Sequence, residues 1–267
     1  MFLHTISHGE KPAPLVAFCH GLFGQGKNWT TSARGLEQTD PPFRSLLIDM
    51  PNHGRSDWSS SVDLLDWADE VAKTLRLHLD TAEATHLVGH SLGGKIAMLI
   101  ALRHPELVKS LVVVDMSPVN YELARHFRTY VKAMAAIDLD ELSGRSEADA
   151  NLQVAVPGEV IRSFLLQNLR RTGNGDRPWR WQMNLDLLDE QLERLGAWPG
   201  QQGRYEGPVL WVGGQDSDYI TDAYRAPMEQ LFPSTRSVTI KNAGHWVHSE
   251  QPEVFQAVLT RFLQEHR

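Results

Sequence analysis

The sequence predicts an α/β fold in which a mostly parallel central sheet is flanked by helices and carries an all-helical cap insertion. Short apolar runs alternate with amphipathic helical stretches, which is typical of parallel strands joined by helices. The runs are apolar at successive positions, as in strands that are covered on both faces. Between residues 118 and 207 the alternation stops, and only helical patterns follow one another. We therefore expect a core made of residues 1–117 and 208–267 and a helical cap made of residues 118–207.

Each element is predicted from a local pattern. Continuous apolar runs predict six strands, at residues 15–19, 45–49, 86–89, 110–115, 208–213 and 236–241. Apolar residues at helical spacing predict three core helices, at residues 63–79, 92–103 and 253–263. Pro105 lies where the second of these helices has ended, and Pro252 lies where the third begins. In the insertion, the helical patterns cover residues 121–137, 157–171 and 181–195.

Composition excludes several classes of function. The 267 residues include 26 basic and 33 acidic side chains, and the formal net charge of −7 leaves no basic footprint for nucleic acid. The single cysteine cannot form an internal disulfide. The longest apolar run, residues 96–102, is far shorter than the roughly 20 residues of a membrane-spanning helix, and the N-terminus lacks the pattern of a signal peptide. We expect a cytoplasmic monomer or homodimer that acts on a small molecule.

The segment Gly89-His-Ser-Leu-Gly93 matches the G-x-S-x-G pattern of a nucleophilic serine. It begins where a predicted strand ends and leads directly into a predicted helix. A turn of this kind lifts the serine oxygen above the edge of the sheet, and the flanking glycines make room for it. Ser91 is therefore the predicted nucleophile. The alternative is a glycine-rich turn in which Ser91 only caps the helix.

A serine hydroxyl needs a base to remove its proton, and His245 is the predicted base. It lies in Asn242-Ala-Gly-His-Trp246, after the last strand and before the last helix, at the edge of the sheet where Ser91 is expected. The acid that would orient His245 has two candidates. Asp115 ends the strand that follows the helix of Ser91, whereas Asp216 follows the next strand, with Ser217 beside it as the residue that a different alignment would place there. We favour Asp115 and keep Asp216 as the alternative.

Attack on an acyl carbonyl develops an oxyanion, which needs backbone N–H donors. We expect these donors to be Leu22, in the loop His20-Gly-Leu-Phe-Gly24, and Leu92, directly after the nucleophile. Phe23 of the same loop is expected at the substrate pocket. Trp179, Trp181 and Met183 of the insertion either pack its helices together or roof an apolar acyl pocket.

Two segments imitate a phosphate-binding P-loop, Gly21 to Lys27 and Gly89 to Lys95, because both fit G-x-x-x-x-G-K. The next residue should be a serine or threonine that binds magnesium, but the chain has Asn28 and Ile96 there. The two segments therefore argue against nucleotide hydrolysis. The histidine pairs of the chain lack the spacing of a metal site on a helix, and we expect no metal and no cofactor.

Taken together, the motifs resemble those of the α/β-hydrolase superfamily. The resemblance is carried by H-G-L-F-G at 20–24, D-M-P-N-H-G-R-S at 49–56, G-H-S-L-G at 89–93, V-D-M-S-P at 114–118 and N-A-G-H-W at 242–246. The residues of these motifs are most similar to those of the YbfF-type bacterial esterases and their mitochondrial relatives. In that group the triad acid comes from the V-D-x-x-P strand, since the later loop commonly lacks an aspartate. The present chain departs from this pattern at Asp216 and Asp218, so both acids stay open.

The resemblance implies a serine carboxylesterase that acts on short- to medium-chain acyl esters, and on acyl thioesters as a second class, through an acyl-enzyme. It also implies a helical cap over the site. Two other classes use the same scaffold: a non-hydrolytic enzyme, such as a carbon–carbon lyase or perhydrolase, and a small-molecule receptor with slow turnover.

Overall fold

The computed structural model describes residues 1–172 and 178–267, without the side chains of residues 124–126. The strands among these residues are β1 (Thr5–His8), β2 (Leu15–Cys19), β3 (Arg44–Ile48), β4 (Thr85–His90), β5 (Val108–Val114), β6 (Leu169–Arg171), β7 (Trp179–Trp181), β8 (Val209–Gly214) and β9 (Thr235–Ile240). The helices are α1 (Thr30–Glu37), α2 (Leu64–His78), α3 (Leu92–Arg103), α4 (Leu123–Ala135), α5 (Arg145–Leu152), α6 (Glu159–Leu166), α7 (Leu185–Glu190), α8 (Leu192–Gly196), α9 (Arg225–Leu231), α10 (Val247–Glu250) and α11 (Pro252–Glu265).

The central sheet has seven strands in the order β1-β3-β2-β4-β5-β8-β9. The six strands from β3 to β9 run parallel, and they are the six that the sequence predicts. The predicted fold class is therefore confirmed. β1 pairs antiparallel with β3 at the edge and is not predicted, because it is four residues long and carries one apolar side chain.

Strand side chains alternate between two apolar layers. Val16, Phe18 and Val88 point to the layer that α1 and α11 cover. Ala17 and Leu87 point to the opposite layer, which contains α2 and α3. Helix α3 is buried along its whole length up to Arg103, which explains why its sequence is apolar on all sides. This sandwich fixes the position of the carboxyl ends of the parallel strands, where the candidate site lies.

The segment between β5 and β8 contains α4 to α8 and also a short antiparallel ribbon, β6 paired with β7. The expectation of an all-helical insertion is wrong at this ribbon. Trp179 and Trp181 are buried while Arg180 between them is exposed, which is the alternation of a strand. A run of three residues is too short for that period to stand out against the helical patterns on either side. The pattern at 157–171 therefore ends as a helix at Leu166 and continues as β6.

A buried lysine fastens this segment to the core. The Lys95 side chain is fully buried on α3, one turn after Ser91. Its ammonium donates to the carbonyl oxygens of Gly196 and Ala197, at the end of α8. The Tyr121 N–H donates to the same Gly196 oxygen over 2.9 Å. The entry and the exit of the segment are thus joined to the helix that begins after Ser91.

None of the helices formed by residues 1–172 and 178–267 combines the length and the apolarity that crossing a membrane requires.

Candidate active site

Ser91 stands in the sharp turn between β4 and α3. Its backbone angles, φ 53° and ψ −121°, are strained for a residue with a side chain, and its N–H donates to the Val114 oxygen over 3.0 Å. The flanking glycines leave no space for a side chain. A Cβ on Gly89 would lie 2.2 Å from the Gly93 oxygen, and a Cβ on Gly93 would lie 2.3 Å from the Cys19 oxygen. The G-x-S-x-G pattern therefore follows from backbone contact on both sides of the turn.

His245 lies in the loop after β9, and its ring bridges Ser91 and Asp115. Nε2 is 2.9 Å from the Ser91 Oγ, and Nδ1 is 2.7 Å from the Asp115 Oδ2. A carboxylate accepts hydrogen bonds only, so Nδ1 carries the proton and Nε2 presents a lone pair to the serine hydroxyl. This tautomer is the one in which a histidine can accept a proton from Ser91.

Asp115 follows β5 with a left-handed φ of 50° and is completely buried. Its Oδ1 accepts the Gly214 N–H over 3.1 Å, and its Oδ2 accepts the Ser217 hydroxyl as well as the His245 ring. A buried carboxylate needs such partners because burial removes its hydration. Ser217, which one alignment places at the position of the acid, is instead a hydrogen-bond donor to Asp115, and sequence spacing gives no signal for this contact.

The alternative acid, Asp216, lies elsewhere. Its side chain is exposed, and its backbone N–H donates to the Ala243 oxygen over 2.9 Å. The carboxylate that the structure brings to His245 is that of Asp115.

Aromatic rings surround the imidazole of His245. The Tyr219 ring stacks on it with centroids 4.0 Å apart and planes 24° apart, and the Trp246 ring meets it edge-on at 5.5 Å. His90 lies behind it, and its Nε2 donates to the His245 carbonyl oxygen over 2.8 Å. Burial lowers the pKa of His90 well below its usual value, and this keeps the ring neutral. Sequence spacing gives no signal for Tyr219, because it follows a different strand from His245.

The loop of residues 20–24 passes directly over Ser91. A Cβ on Gly21 would lie 3.1 Å from the Ser91 Cβ. Leu22 follows this glycine, and no acceptor for its N–H lies among the described residues. Leu92 is the first residue of α3, so its N–H has no acceptor within the helix. Both predicted oxyanion donors are therefore free N–H groups as far as the described residues are concerned, since Leu92 directly follows Ser91 and Leu22 follows the glycine that lies against it.

Two neutral histidines hold this loop from below. His20 donates from Nδ1 to the Gly21 oxygen and accepts the Met50 N–H at Nε2, over 2.8 and 2.9 Å. His53 accepts the Phe23 N–H at Nε2 over 3.1 Å, which holds Phe23 at a left-handed φ of 62°. Burial lowers the pKa of both rings, that of His53 to about 3, so that each keeps a lone pair to accept with. His53 belongs to the P-N-H-G-R-S motif, and sequence spacing alone does not reveal this contact with the loop.

The predicted pocket residues fall into two places. Phe23 is fully buried beside the site and meets Phe127 of α4 edge-on at 5.9 Å. Trp179, Trp181 and Met183 line a groove of the inserted segment, together with residues that include Trp58 and Leu139. Ser91 and His245 do not line this groove, so contact of the three residues with substrate stays a prediction.

Within residues 1–172 and 178–267, no group of three His, Cys, Asp or Glu side chains is arranged to hold a metal ion. The fully buried Cys19 thiol is not positioned to react, since burial raises its pKa to about 12.

The site can be compared with known proteins. The chain is 36% identical over 264 residues to the sn-1-specific diacylglycerol lipase ABHD11 of Mus musculus, covering 97% of this chain and 84% of that protein. It is 29% identical over 258 residues to the esterase YbfF of Escherichia coli, covering 97% and 95% of the two chains. Among solved structures, a marine microorganism esterase superposes with a TM-score of 0.89 at 31% identity, over 97% of this chain and 98% of that one.

The family match covers most of the molecule. Residues 14–252 match the alpha/beta hydrolase fold family, from the strand before the loop of Leu22 to the residue that begins α11. The matched region includes Ser91, Asp115 and His245. The chain therefore belongs to the alpha/beta hydrolase fold family and is a hydrolase.

Proposed function

We propose that the protein is a serine carboxylesterase that works through an acyl-enzyme. The observation that supports this most directly is the position of His245, whose ring nitrogens lie within hydrogen-bonding distance of the Ser91 hydroxyl and the Asp115 carboxylate. A hydroxyl, an imidazole and a buried carboxylate in this order form a nucleophile, a base and an orienting acid.

In the first half-reaction, His245 Nε2 takes the proton of Ser91 as the serine oxygen attacks the acyl carbonyl. Asp115 keeps its charge and stabilises the imidazolium that forms. The Leu22 and Leu92 N–H groups donate to the oxyanion, and they lie on backbone that is already ordered, so little reorganisation is needed. His245 then gives its proton to the departing alcohol, and the acyl group remains on Ser91.

In the second half-reaction, water enters and His245 takes a proton from it. The hydroxide attacks the acyl carbonyl, the same two N–H groups hold the second oxyanion, and His245 returns the proton to Ser91 as the acid leaves. The cycle needs a base that is neutral at rest. The hydrogen bond from Nδ1 to Asp115 favours the required tautomer.

The proposed substrates are short- to medium-chain acyl esters, with acyl thioesters as a second class. The relatives support the ester, since they are named as a diacylglycerol lipase and as esterases. We further propose Phe23 as a wall of the acyl pocket, because it is buried in the loop that carries the Leu22 donor.

The test is hydrolysis of a series of p-nitrophenyl esters by the wild type and Ser91→Ala. We expect kcat/KM to fall by roughly 10⁴-fold or more in Ser91→Ala, because water attack without a nucleophile retains little of the rate. Ser146→Ala, which changes an exposed serine of α5, serves as the matched control and should keep the wild-type rate. Wild-type turnover by Ser91→Ala would refute the proposal.

Product analysis separates the other uses of this scaffold. Release of free acid over many turnovers is expected from a hydrolase. A single stoichiometric release would indicate a slow receptor, and cleavage of a diketone in place of the esters would indicate a carbon–carbon lyase. Parallel panels of esters and thioesters of increasing chain length define the substrate class.

A further inference from the structure

Four cationic residues, three of them exposed and one half-buried, lie where the core loops after β2 and β3 face the inserted segment. They are Lys27 and Arg55 of the core and Arg145 and Arg170 of the segment, and we call them the basic seam. The formal net charge of the chain is −7, so the positive charge of this cluster is a local feature of the surface and not a property of the whole molecule.

One buried carboxylate brings the two core residues together. Asp49 accepts the Gly26 N–H at Oδ1 over 2.7 Å and the Arg55 N–H at Oδ2 over 2.8 Å. Since Lys27 directly follows Gly26, the same side chain fixes the backbone at both cations. A side chain on Gly54 is excluded here, because its Cβ would lie 2.1 Å from Asp49 Oδ2. The position of Lys27 and Arg55 is therefore built into the loops.

Hydrogen bonds on both sides of Lys27 hold it against the segment. Gln25 Nε2 donates to Asn168 Oδ1 over 2.7 Å, and Asn28 Nδ2 donates to Gln167 Oε1 over 2.9 Å. Asn168 comes two residues before Arg170, so these bonds place Lys27 beside the start of the β6–β7 ribbon.

The two arginines of the segment are themselves anchored. Arg145 donates to the Leu166 and Leu169 carbonyl oxygens, and Arg170 Nε donates to Gln182 Oε1 over 2.7 Å. No carboxylate pairs with either of them among the described residues. Their positive charges therefore reach the seam without being neutralised.

The cations of the seam act on one another. Burial lowers the pKa of Lys27, and the charges of Arg170, Arg145 and Arg55 lower it further, against the opposing charge of Asp49. Burial, Arg145 and Arg55 likewise lower the pKa of Arg170. Neither Lys27 nor Arg55 has a side-chain hydrogen bond or ion pair in the described part of the chain. Two free donors thus stand in a positive field whose nearest acid is already bound to backbone N–H groups.

We propose that the basic seam binds the phosphate or pyrophosphate group of an anionic ligand. The Arg55 guanidinium offers paired N–H donors to phosphate oxygens, the Lys27 ammonium offers a point charge, and Arg145 and Arg170 supply the surrounding field. A multiply charged group suits this field better than a single carboxylate does. The inference stands apart from the proposed esterase function, because binding can be measured without turnover.

The seam also explains the first of the two P-loop-like segments. Lys27 is the lysine of the G-x-x-x-x-G-K pattern, and residues Gly26–Trp29 form a 3₁₀ turn in which Asn28 donates to Gln167. The residue that would hold magnesium in a P-loop here fastens the inserted segment. The seam is therefore expected to bind phosphate without a magnesium ion.

The first test measures the binding of inorganic pyrophosphate by calorimetry at low ionic strength. The variants are Lys27→Gln/Arg55→Gln and, as a control of equal charge, Lys109→Gln/Lys241→Gln, which changes exposed lysines of other surfaces. We expect the seam variant to weaken binding by roughly tenfold or more and the control to stay within about twofold of the wild type. Added salt should weaken wild-type binding, since the contact is electrostatic.

Equal weakening in the two double variants, or no binding to the wild type, would overturn the proposal. Urea midpoints of both variants establish that they are folded. Ser91→Ala should bind pyrophosphate like the wild type. The binding measurement can therefore be interpreted even if the esterase proposal fails.

A second arm identifies the source of the phosphate. Sedimentation with phosphatidylcholine vesicles that contain phosphatidic acid, lost in the seam variant, would assign the site to a lipid headgroup. Pyrophosphate binding without sedimentation would assign it to a water-soluble phosphate ester. Both results presuppose that the wild type binds pyrophosphate, and each of them then supports the seam as a phosphate site.

Discussion

At the scale of single residues, the candidate site depends on strained backbone conformations. Their cost in free energy is offset by hydrogen bonds and packing in the surrounding fold. Ser91 and Asp115 both have a positive φ, and they directly follow the neighbouring strands β4 and β5. Non-glycine residues adopt this region at a cost of about 1–3 kcal/mol. The hydrogen bonds from Ser91 N to Val114 and from Asp115 N to Val212 hold the two turns in place. The strain places two polar side chains at one edge of a rigid sheet.

The two candidate acids lead to different predictions for the activity of their asparagine variants. Asp115→Asn should lower kcat for a p-nitrophenyl ester by roughly 10⁴-fold, because the amide NH₂ would donate to Nδ1 and leave the proton on Nε2, where Ser91 needs a lone pair. Asp216→Asn should keep the wild-type kcat within about twofold, since its side chain is exposed and apart from His245. Steady-state rates of the two variants decide the matter. A comparable loss in Asp216→Asn would mean that the Asp115 contact with His245 is not the one used in turnover.

Sequence spacing predicts part of this site, and there is a physical reason why it could not predict the rest. Ser91 and His245 each stand in a motif at the end of a predicted strand, and their polar atoms lie 2.9 Å apart. The choice between Asp115 and Asp216 is open from sequence because both follow strands that end at the same edge. Tyr219 and His53 could not be found, since their contacts form only when separate loops converge.

At the scale of secondary-structure elements, the nucleophile turn works because β2, β4 and α3 approach without side chains between them. Gly93 in α3 lies against the backbone of β2, and Gly89 in β4 lies against Gly93. Gly93→Ala would push its Cβ into the Cys19 oxygen, an atom of the central sheet that cannot move away. We expect it to lower the free energy of unfolding by about 3 kcal/mol or more.

The urea midpoint of unfolding measures this loss. Gly144→Ala is the matched control, because no atom of the described residues lies within 4 Å of its added Cβ and its φ of −178° is extended. The control should move the midpoint little. An equal shift in both variants would show that loss of glycine, and not contact between α3 and β2, sets the effect.

A strand or helix could be predicted from the sequence when its burial is reflected in its own consecutive residues. It could not be predicted when its position depends on pairing with a distant segment. Five of the six parallel strands are buried almost throughout, so their burial is evident from successive apolar residues such as those of β2 and β5, whereas β9 is an edge strand with three exposed residues. The edge strand β1 and the ribbon β6–β7 are set by pairing partners distant in sequence. Helix α5 lies outside the predicted helical patterns, and it buries little beyond Ala148 and Leu152. Short elements with little apolar surface give little signal.

At the scale of the whole molecule, buried neutral histidines brace both sides of the site. His20 and His53 hold the loop that carries Leu22, on the side of β2 and β3. His90 and His248 pack behind His245 on the other side, with ring centroids 4.7 Å apart. Burial lowers the pKa of all four, that of His248 to about 3. The architecture of the site thus depends on imidazoles that stay uncharged.

This dependence predicts that the fold is sensitive to acid. At pH 7.5 these histidines are neutral in both the folded and the unfolded chain. As the pH falls below 6.5, the unfolded chain takes up protons that the folded chain excludes until about pH 3 at His53, His86 and His248. Each such site therefore lowers the free energy of unfolding by up to about 1.4 kcal/mol per pH unit across that window. Urea midpoints at pH 7.5, 6 and 5 should fall progressively.

The variant His86→Phe separates this effect from the titration of carboxylates, because it changes a single histidine. His86 lies in β4, away from the nucleophile turn. Its Nδ1 contacts the Ser110 hydroxyl over 2.7 Å, and its buried Nε2 has no hydrogen-bond partner in the part of the chain that the structure describes. His86→Phe removes one titrating group that contributes to the pH dependence of the free energy of unfolding. We expect the variant to be less stable than the wild type at pH 7.5, and the difference to narrow as the pH falls toward 5. A difference that stays constant between these pH values would mean that His86 takes up its proton equally in the folded and unfolded chains.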